Sequence, residues 1–400
     1  MPPMPSDDAL VHLVAPEDRQ VLPRPSILRA LLLTAVVLTA FALTCQLLRA
    51  NLPRFPGLTP THKFEFFEKH RDEYDTVFIG PSSVYRHVEP HTFDTVLAEH
   101  GVPCTSFNFG VNAITSLETL YTLDRILQLQ PARLKRVFIE LRGHGLEVWG
   151  RNARTQRFLS WHDAAITWRA INMLVESEAQ LDWKLRNLHK HARAFSFRFT
   201  NLGHLRQILA DHVGGTQASR SQLQADRRQL LRTEIGEAGN GFVSLTEAER
   251  TDSERRENLA ARRRYWLAWR HRILKQVEDH WKPKRPLLSV SGTRRRDQRL
   301  TAGEKDLISA IVSLVERHGC EAIFFNSPDV LQREYALHAA NREGLLPTFL
   351  NLDDKERYPH LFTENMWFDH SHLNDRGAQH YSEALAHRFA EQIETGGNVP

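Results

Sequence analysis

The chain has 400 residues, 41% of them hydrophobic and 25% charged, a balance that fits one large α/β domain with an insertion or a small second domain and argues against a disordered chain. The net charge of +4 conceals an asymmetry, because residues 151–300 hold 30 of the 52 Lys and Arg but 16 of the 48 Asp and Glu, giving +14 there and −10 elsewhere. Three cysteines are too few for a disulfide scaffold, and their positions show no metal-ligand spacing. We therefore expect neither a bound metal nor a cofactor.

An uncharged segment, residues 30–48, lies between Arg29 and Arg49. As a helix rising ~1.5 Å per residue it would cover roughly 28 Å, which is enough to span a bilayer. An Ala-x-Ala triplet within it imitates a cleavage site, but the apolar run is longer than that of a usual signal peptide. We therefore predict an uncleaved anchor, with a signal peptide or a buried helix as alternatives. Residues 1–29 are then a tail and residues 49–72 a linker.

The orientation of this anchor is not fixed by charge, because the two flanks are equally basic. The flanking basic residues are Arg19, Arg24 and Arg29 on one side and Arg49, Arg54 and Lys63 on the other. We expect the N-terminal tail to be cytoplasmic only because of the family resemblance described below.

Apolar runs alternate with amphipathic stretches after the linker. Buried strands are predicted at 76–80, 104–109 and 136–141, and helices at 90–100 and 116–129. This βαβαβ order predicts a doubly wound, mostly parallel sheet. In such a sheet the reactive groups lie beyond the carboxyl ends of the strands.

The alternation stops near Gly143 and resumes far downstream. The later predicted elements are a helix at 303–318, a strand at 321–326 and a closing helix at 374–393. We therefore predict an α/β domain in two parts, residues 73–144 and 303–396.

Residues 145–302 form a basic, mainly helical insertion between these parts. The stretch 254–281 has apolar residues on one side and arginines on the other, which predicts an amphipathic helix. Such a helix could pack on the core, or it could contact a membrane or a partner. Residues 282–299 contain KPKRP and TRRR and are interpreted as an exposed basic linker.

Three residues near opposite ends of the domain have the chemistry of a catalytic triad. Ser82 follows the first predicted strand, and Asp369 and His372 lie three residues apart near the C-terminus. A serine hydroxyl becomes nucleophilic when a histidine, oriented by a carboxylate, removes its proton. We therefore predict Ser82 as nucleophile, His372 as base and Asp369 as acid, with Ser83 and His370 as alternatives.

These motifs resemble the SGNH/GDSL hydrolase superfamily, in which Gly-Asp-Ser opens the domain and Asp-x-x-His closes it. Gly80-Pro81-Ser82 corresponds to the first motif, with proline in place of the aspartate, and Asp369-x-x-His372 corresponds to the last. The resemblance covers both parts of the α/β domain and omits the insertion. It implies a flavodoxin-like α/β fold and a Ser82, Asp369, His372 triad.

The stretch from Asn108 to Thr115 resembles the second block of the family, Asn-x-Gly-x-Ser-Gly-x-Thr. Ala113 stands where the family has an oxyanion-hole glycine; alanine keeps the backbone N–H but restricts the backbone angles. The resemblance implies an oxyanion hole formed by Ser82 and Ala113, with the amide of Asn112 beside them.

The third block of the family, Gly-x-Asn-Asp, has no counterpart after the predicted strand at 136–141. Arg142-Gly143-His144 follows that strand instead. The candidates for the missing oxyanion donor are Asn112, Arg142 and His144, of which we rank Asn112 first.

A single N-terminal anchor with altered second and third blocks resembles the extracytoplasmic SGNH-like proteins that act beside membrane-bound O-acyltransferases. The resemblance implies a serine esterase or O-acyltransferase in the bacterial inner membrane, with a periplasmic catalytic domain acting on acyl esters of cell-surface polysaccharide. The implied partners are a membrane-bound O-acyltransferase and an anionic polysaccharide held by the basic insertion. The alternative is a non-catalytic binding or assembly protein. Nucleic acid is not an expected partner, because an anchored, outward-facing domain would rarely meet it.

Overall fold

The computed structural model describes residues 27–50, 61–148, 155–200, 233–253, 255–280, 293–294, 299–330 and 334–396. The chain falls into two compact units that divide after residue 50. Most of the predicted tail and of the predicted basic linker at 282–299 lies outside the described residues.

The first unit contains one long helix, α1 (Ile27–Ala50). Its stretch Ile27–Leu48 has a mean hydropathy of 2.2, and its large apolar side chains are exposed. Twenty-two helical residues rise about 33 Å, which covers the hydrocarbon thickness of a bilayer. By length and composition, α1 is therefore able to span a membrane.

The second unit is built on a five-stranded parallel sheet. Its strands are β1 (Thr76–Ile79), β2 (Ser106–Asn108), β3 (Arg136–Ile139), β4 (Glu321–Asn326) and β5 (Thr348–Asn351). The spatial order is β2–β1–β3–β4–β5, and every neighbouring pair is parallel. This is a doubly wound order whose direction reverses between β1 and β3. The predicted parallel α/β sheet is confirmed.

Helices cover both faces of this sheet. The described helices of this unit are α2 (Thr61–His70), α3 (Ser82–His87), α4 (Pro90–Glu99), α5 (Ser116–Leu127), α6 (Gln156–Ser160), α7 (Ala164–Glu176), α8 (Leu181–Phe199), α9 (Leu245–Thr251), α10 (Arg256–His280), α11 (Ala302–Arg317), α12 (Ala336–Arg342) and α13 (Asp375–Gly396). Val77 and Ile79 of β1 belong to the hydrophobic core with α5 and α11, whereas Phe78 belongs to the core with α4 and α13. Successive strand residues point to opposite faces of the sheet, so β1 is buried on both faces.

Two shorter pairs of strands complete the description. Thr293–Arg294 pairs with Glu334–Tyr335, and β6 (Trp367–Asp369) pairs with β7 (His372–Leu373), both antiparallel. The β6–β7 hairpin carries the Asp-x-x-His motif and leads into α13. Asn374 caps that helix, as predicted, by accepting a 2.9 Å hydrogen bond from the N–H of Gly377.

The insertion packs on the α/β domain and belongs to the same compact unit. At the free edge of β2, the N–H of Asn108 donates to the carbonyl of Asn240 at 2.8 Å. A Cβ atom at Gly241 would lie 2.1 Å from the carbonyl oxygen of Asn108, so the close approach requires glycine there. On α10, Leu259 and Trp266 are buried while Trp269 is 40% exposed, so the first half of this helix packs on the core.

The predicted linker at 49–72 contains part of the folded unit. Its second half forms α2, in which Phe64 and Phe67 are fully buried. The α/β unit therefore begins at least twelve residues before the predicted start at residue 73, and its first helix lies in the hydrophobic core with α5.

Candidate active site

The turn between β1 and α3 places Ser82 at the carboxyl edge of the sheet. Ser82 is the first residue of α3, and Pro81 precedes it with φ −73°, the value that its ring imposes. A Cβ atom at Gly80 would lie 2.8 Å from the carbonyl oxygen of Glu140 at the end of β3, so only glycine fits. The serine thus lies where the strand order reverses, the usual ligand position in a doubly wound sheet.

The structure brings Ser82, Asp369 and His372 together across 290 residues of sequence. Oγ of Ser82 lies 2.9 Å from Nε2 of His372. Nδ1 of the same ring lies 3.0 and 3.2 Å from the two carboxylate oxygens of Asp369. Because a carboxylate accepts, Nδ1 carries the proton and Nε2 accepts from the serine hydroxyl. This is the hydrogen-bond chain that proton transfer from serine to histidine requires.

Asp369 is held by the hairpin that carries it. Its Oδ1 accepts the backbone N–H groups of Ser371 at 2.8 Å and His372 at 3.0 Å, and its side chain is 3% exposed. Its Oδ2 accepts a hydrogen bond from Nη2 of Arg262 on α10. The carboxylate is therefore oriented by the backbone, by the imidazole and by a residue of the insertion.

Burial and charge set the protonation states of this pair. Burial raises the pKa of Asp369, but the hydrogen bond from His372 and the charge of Arg262 outweigh it, and the pKa lies below its ordinary value. Burial lowers the pKa of His372, and the neighbouring carboxylate opposes this shift only in part. Near neutral pH, Asp369 is therefore charged and His372 neutral, as a general base must be.

A second histidine supports the position of the first. His87, at the end of α3, is fully buried, and its Nε2 accepts the N–H of Leu373 at 3.1 Å. Burial and the nearby His372 lower the pKa of His87, which keeps Nε2 free to accept. Helix α3 thus holds the serine at its first residue and the chain after His372 at its last.

The alternative nucleophile and the alternative base lie elsewhere. Ser83 is 2% exposed, and its Oγ donates to Oε2 of Glu140 at 2.6 Å. Glu140 also accepts from the N–H and the hydroxyl of Ser327, each at 3.0 Å. His370 is exposed to solvent. Among the described residues, the pair that meets is Ser82 and His372.

The loop after β2 lies beside the serine turn and contains two of the predicted oxyanion residues, Asn112 and Ala113. The N–H of Val111 donates to the carbonyl of Gly80 at 2.9 Å, two residues before the serine. Asn112 and Ala113 form the exposed turn that follows, and their N–H groups donate to no residue in the described part of the chain. Ala113 has φ +53°, the left-handed conformation that favours glycine and costs alanine roughly 1–2 kcal/mol. Ala113 therefore occupies a backbone conformation in which glycine is the favoured residue.

Two basic residues that sequence reasoning missed hold this loop, the partly buried Arg157 and the fully buried Lys63. Arg157 on α6 donates to the carbonyl of Asn112 at 2.8 Å and makes a bidentate pair with Glu118 on α5, at 2.6 and 2.9 Å. Lys63 on α2, fully buried, donates from Nζ to the carbonyls of Asn108 and Gly110, both at 2.9 Å. A buried lysine is uncommon unless paired, so its two carbonyl partners indicate a positioning role.

The residues in place of the third block are already occupied. Arg142 donates from Nε to Oε1 of Glu140 at 3.1 Å. His144 is buried, with Nε2 2.8 Å from Oε1 of Glu304 on α11. By contrast, the side chain of Asn112 is exposed and makes no hydrogen bond with a described residue. Of the three candidates, Asn112 is therefore the one whose amide is accessible to a ligand.

Comparison with known proteins gives no independent assignment: neither protein-family models nor curated proteins match this chain. Membership of the SGNH/GDSL superfamily therefore stays a prediction from the motifs.

Proposed function

We propose that the protein is a serine esterase or O-acyltransferase of SGNH/GDSL type, with Ser82, His372 and Asp369 as its triad. One observation carries this proposal: a hydrogen-bond chain runs from the serine hydroxyl through both imidazole nitrogens to a buried carboxylate. The imidazole is neutral and its accepting nitrogen faces a hydroxyl, which is the arrangement that makes serine nucleophilic.

The reaction begins when Nε2 of His372 takes the proton of Ser82 as its Oγ attacks the acyl carbonyl carbon of an ester. Asp369 stabilises the imidazolium that forms, and the backbone N–H groups of Ser82 and Ala113, with the amide of Asn112, receive the oxyanion. His372 then returns the proton to the leaving alcohol, and the acyl group stays on Ser82. Water or a carbohydrate hydroxyl, deprotonated by the same imidazole, removes it by the reverse sequence.

The proposed substrates are acyl esters of cell-surface carbohydrate, and the proposed location is the inner membrane with a periplasmic domain. The length and hydropathy of α1 support the anchor. The positive charge of residues 151–300 supports an anionic polysaccharide as a partner. A membrane-bound O-acyltransferase that delivers the acyl group is the second proposed partner.

The test uses the full-length chain in detergent micelles with p-nitrophenyl acetate and a fluorophosphonate probe. We expect S82A to lower turnover by roughly 10³-fold or more and to abolish labelling. S83A is the matched control, because Ser83 is adjacent but bonded to Glu140, and it should still be labelled. Wild-type turnover in S82A, or a probe adduct on another residue in the wild type, would refute the triad.

Hydrolysis and transfer are separated by adding oligosaccharide to the same reaction. Acetylated sugar detected by mass spectrometry, and absent with S82A, identifies a carbohydrate acceptor; free acetate alone identifies water. Salt-sensitive binding of an anionic polysaccharide without turnover in any variant would instead favour the binding or assembly protein.

A further inference from the structure

Arg262 reaches the predicted triad from the insertion. It lies on α10, and its Nη2 donates to Oδ2 of Asp369 and lies 3.4 Å from Nδ1 of His372. Oδ1 of the same carboxylate is filled by two backbone N–H groups and the imidazole. A fixed positive charge therefore lies against both the acid and the base.

The packing of α10 holds Arg262 in this position. Trp266, one turn further along, is 1% exposed and lies in the hydrophobic core with Trp367 and Leu373 of the hairpin. Beyond it, Nε of Arg270 and Nδ1 of His271 lie 2.7 and 2.6 Å from the carboxylate of Glu364, just before the hairpin. The helix is thus attached to the hairpin through Arg262 and Trp266, and to the segment just before the hairpin through Arg270 and His271.

The pair also differs from an ordinary surface ion pair. Exposed pairs contribute little because water screens both charges. Here the carboxylate is 3% exposed, and only the arginine side chain, at 40%, reaches solvent. Removing Arg262 would therefore leave the buried carboxylate of Asp369 without this positive charge beside it.

The charges around His372 come from three elements. Asp369 on β6 favours the protonated ring, whereas Arg262 on α10 and Arg86 on α3 disfavour it; His87, also on α3, lies 6.1 Å away between ring centroids and is neutral. The serine contributes a hydroxyl and no charge. Of the two arginines, Arg262 is the one that donates a hydrogen bond to Asp369, the carboxylate that stabilises a protonated His372.

We infer that Arg262 is a positioning residue that fixes the rotamer of Asp369 and keeps His372 in its neutral, proton-accepting form at lower pH than the carboxylate alone would allow. The inference rests on the proposed function. Through Arg262, the insertion sets the pH range over which Ser82 is activated.

The test measures the titration of His372 directly. Full-length chain labelled with [¹³Cε1]histidine is titrated by NMR in detergent micelles, and the resonance of His372 is assigned by its loss in H372Q. We expect R262M to raise the titration midpoint by about 0.5–1 pH unit, since a nearby like charge is removed and solvent screens part of it. R262Q, which keeps a donor without the charge, should do the same, and R262K should restore the wild-type midpoint.

The matched control is R264M, because Arg264 lies two residues away on the same helix and is exposed. Its midpoint should equal that of the wild type. A midpoint in R262M and R262Q within about 0.2 units of wild type overturns the inference. An equal shift in R264M overturns it as well, because the effect would then be general to the charge of the helix.

A second readout links the titration to the proposed chemistry. The rate of fluorophosphonate labelling rises with pH as His372 loses its proton, and in R262M this rise should move to higher pH by the same amount. A rise that does not move would overturn the inference while leaving the triad intact. Absence of labelling in the wild type would overturn the proposed function, and the NMR midpoints would still decide the role of Arg262.

Discussion

Ala113 offers a test in which glycine should stabilise the protein. Its φ of +53° costs alanine roughly 1–2 kcal/mol, whereas glycine adopts this conformation freely. Glycine also gains freedom in the unfolded chain, which offsets part of the benefit, so A113G is expected to raise the free energy of unfolding by about 1 kcal/mol. The matched control is A192G, because Ala192 is exposed in the interior of α8. There glycine should lower stability by about 1 kcal/mol.

Thermal unfolding of the full-length chain in micelles, followed by tryptophan fluorescence, measures both variants. We expect shifts in Tm of roughly 2 °C in opposite directions. Esterase turnover of A113G should stay within about threefold of wild type, since the N–H is kept and only its loss would cost roughly 10²-fold. A lower Tm for A113G, like that of A192G, would refute the left-handed conformation at this position.

Two further predictions concern Glu118 and Asp353. The double variant R157M/E118Q removes the hydrogen bond from Arg157 to the Asn112 loop without leaving the charge of Glu118 unpaired. We expect esterase turnover to fall about tenfold in the double variant, and E118Q alone is the control. Unchanged turnover in a correctly folded double variant would contradict the positioning role of Arg157. Burial and the nearby Asp329 raise the pKa of Asp353 to about 8, so the folded chain keeps a proton that the unfolded chain releases near pH 4. The free energy of unfolding therefore falls as the pH rises from about 4 to about 8. D353N should therefore raise Tm at pH 8 but hardly at pH 4, and equal shifts at both values would contradict this.

The fold was predictable where burial leaves a pattern in the sequence. β1 and β4 are covered on both faces, so they appear as continuous apolar runs, and the predicted bounds differ from the observed ones by at most one residue. β5 was not predicted because it is an edge strand, in which only Leu350 is fully buried and the apolar run is short. The β6–β7 hairpin was missed because strands of three and two residues are too short to show a periodicity.

The predicted site depended on a different kind of signal. The spacing of short motifs predicted Ser82, Asp369, His372 and the loop at Ala113, because each of these residues belongs to a local sequence pattern. Nothing local distinguishes Arg157 or Arg262 from the other basic residues of the insertion, because what sets them apart is a carboxylate distant in sequence. A lysine in a predicted linker, such as Lys63, gives no sign of burial either.

The positions of these arginines change what the charge of the insertion means. Arg157 and Arg262 form ion pairs with Glu118 and Asp369. Further described arginines of this segment also form ion pairs, among them Arg169 with Asp306, Arg263 with Glu249 and Arg270 with Glu364. An excess of +14 therefore overstates the positive surface that an anionic polymer could meet. Several of the partners, including Asp369 and Glu364, lie outside the basic segment, so part of its charge is neutralised where the insertion contacts the α/β domain. An anionic ligand would have to bind through exposed positions such as Arg264, and its affinity should then fall steeply with salt.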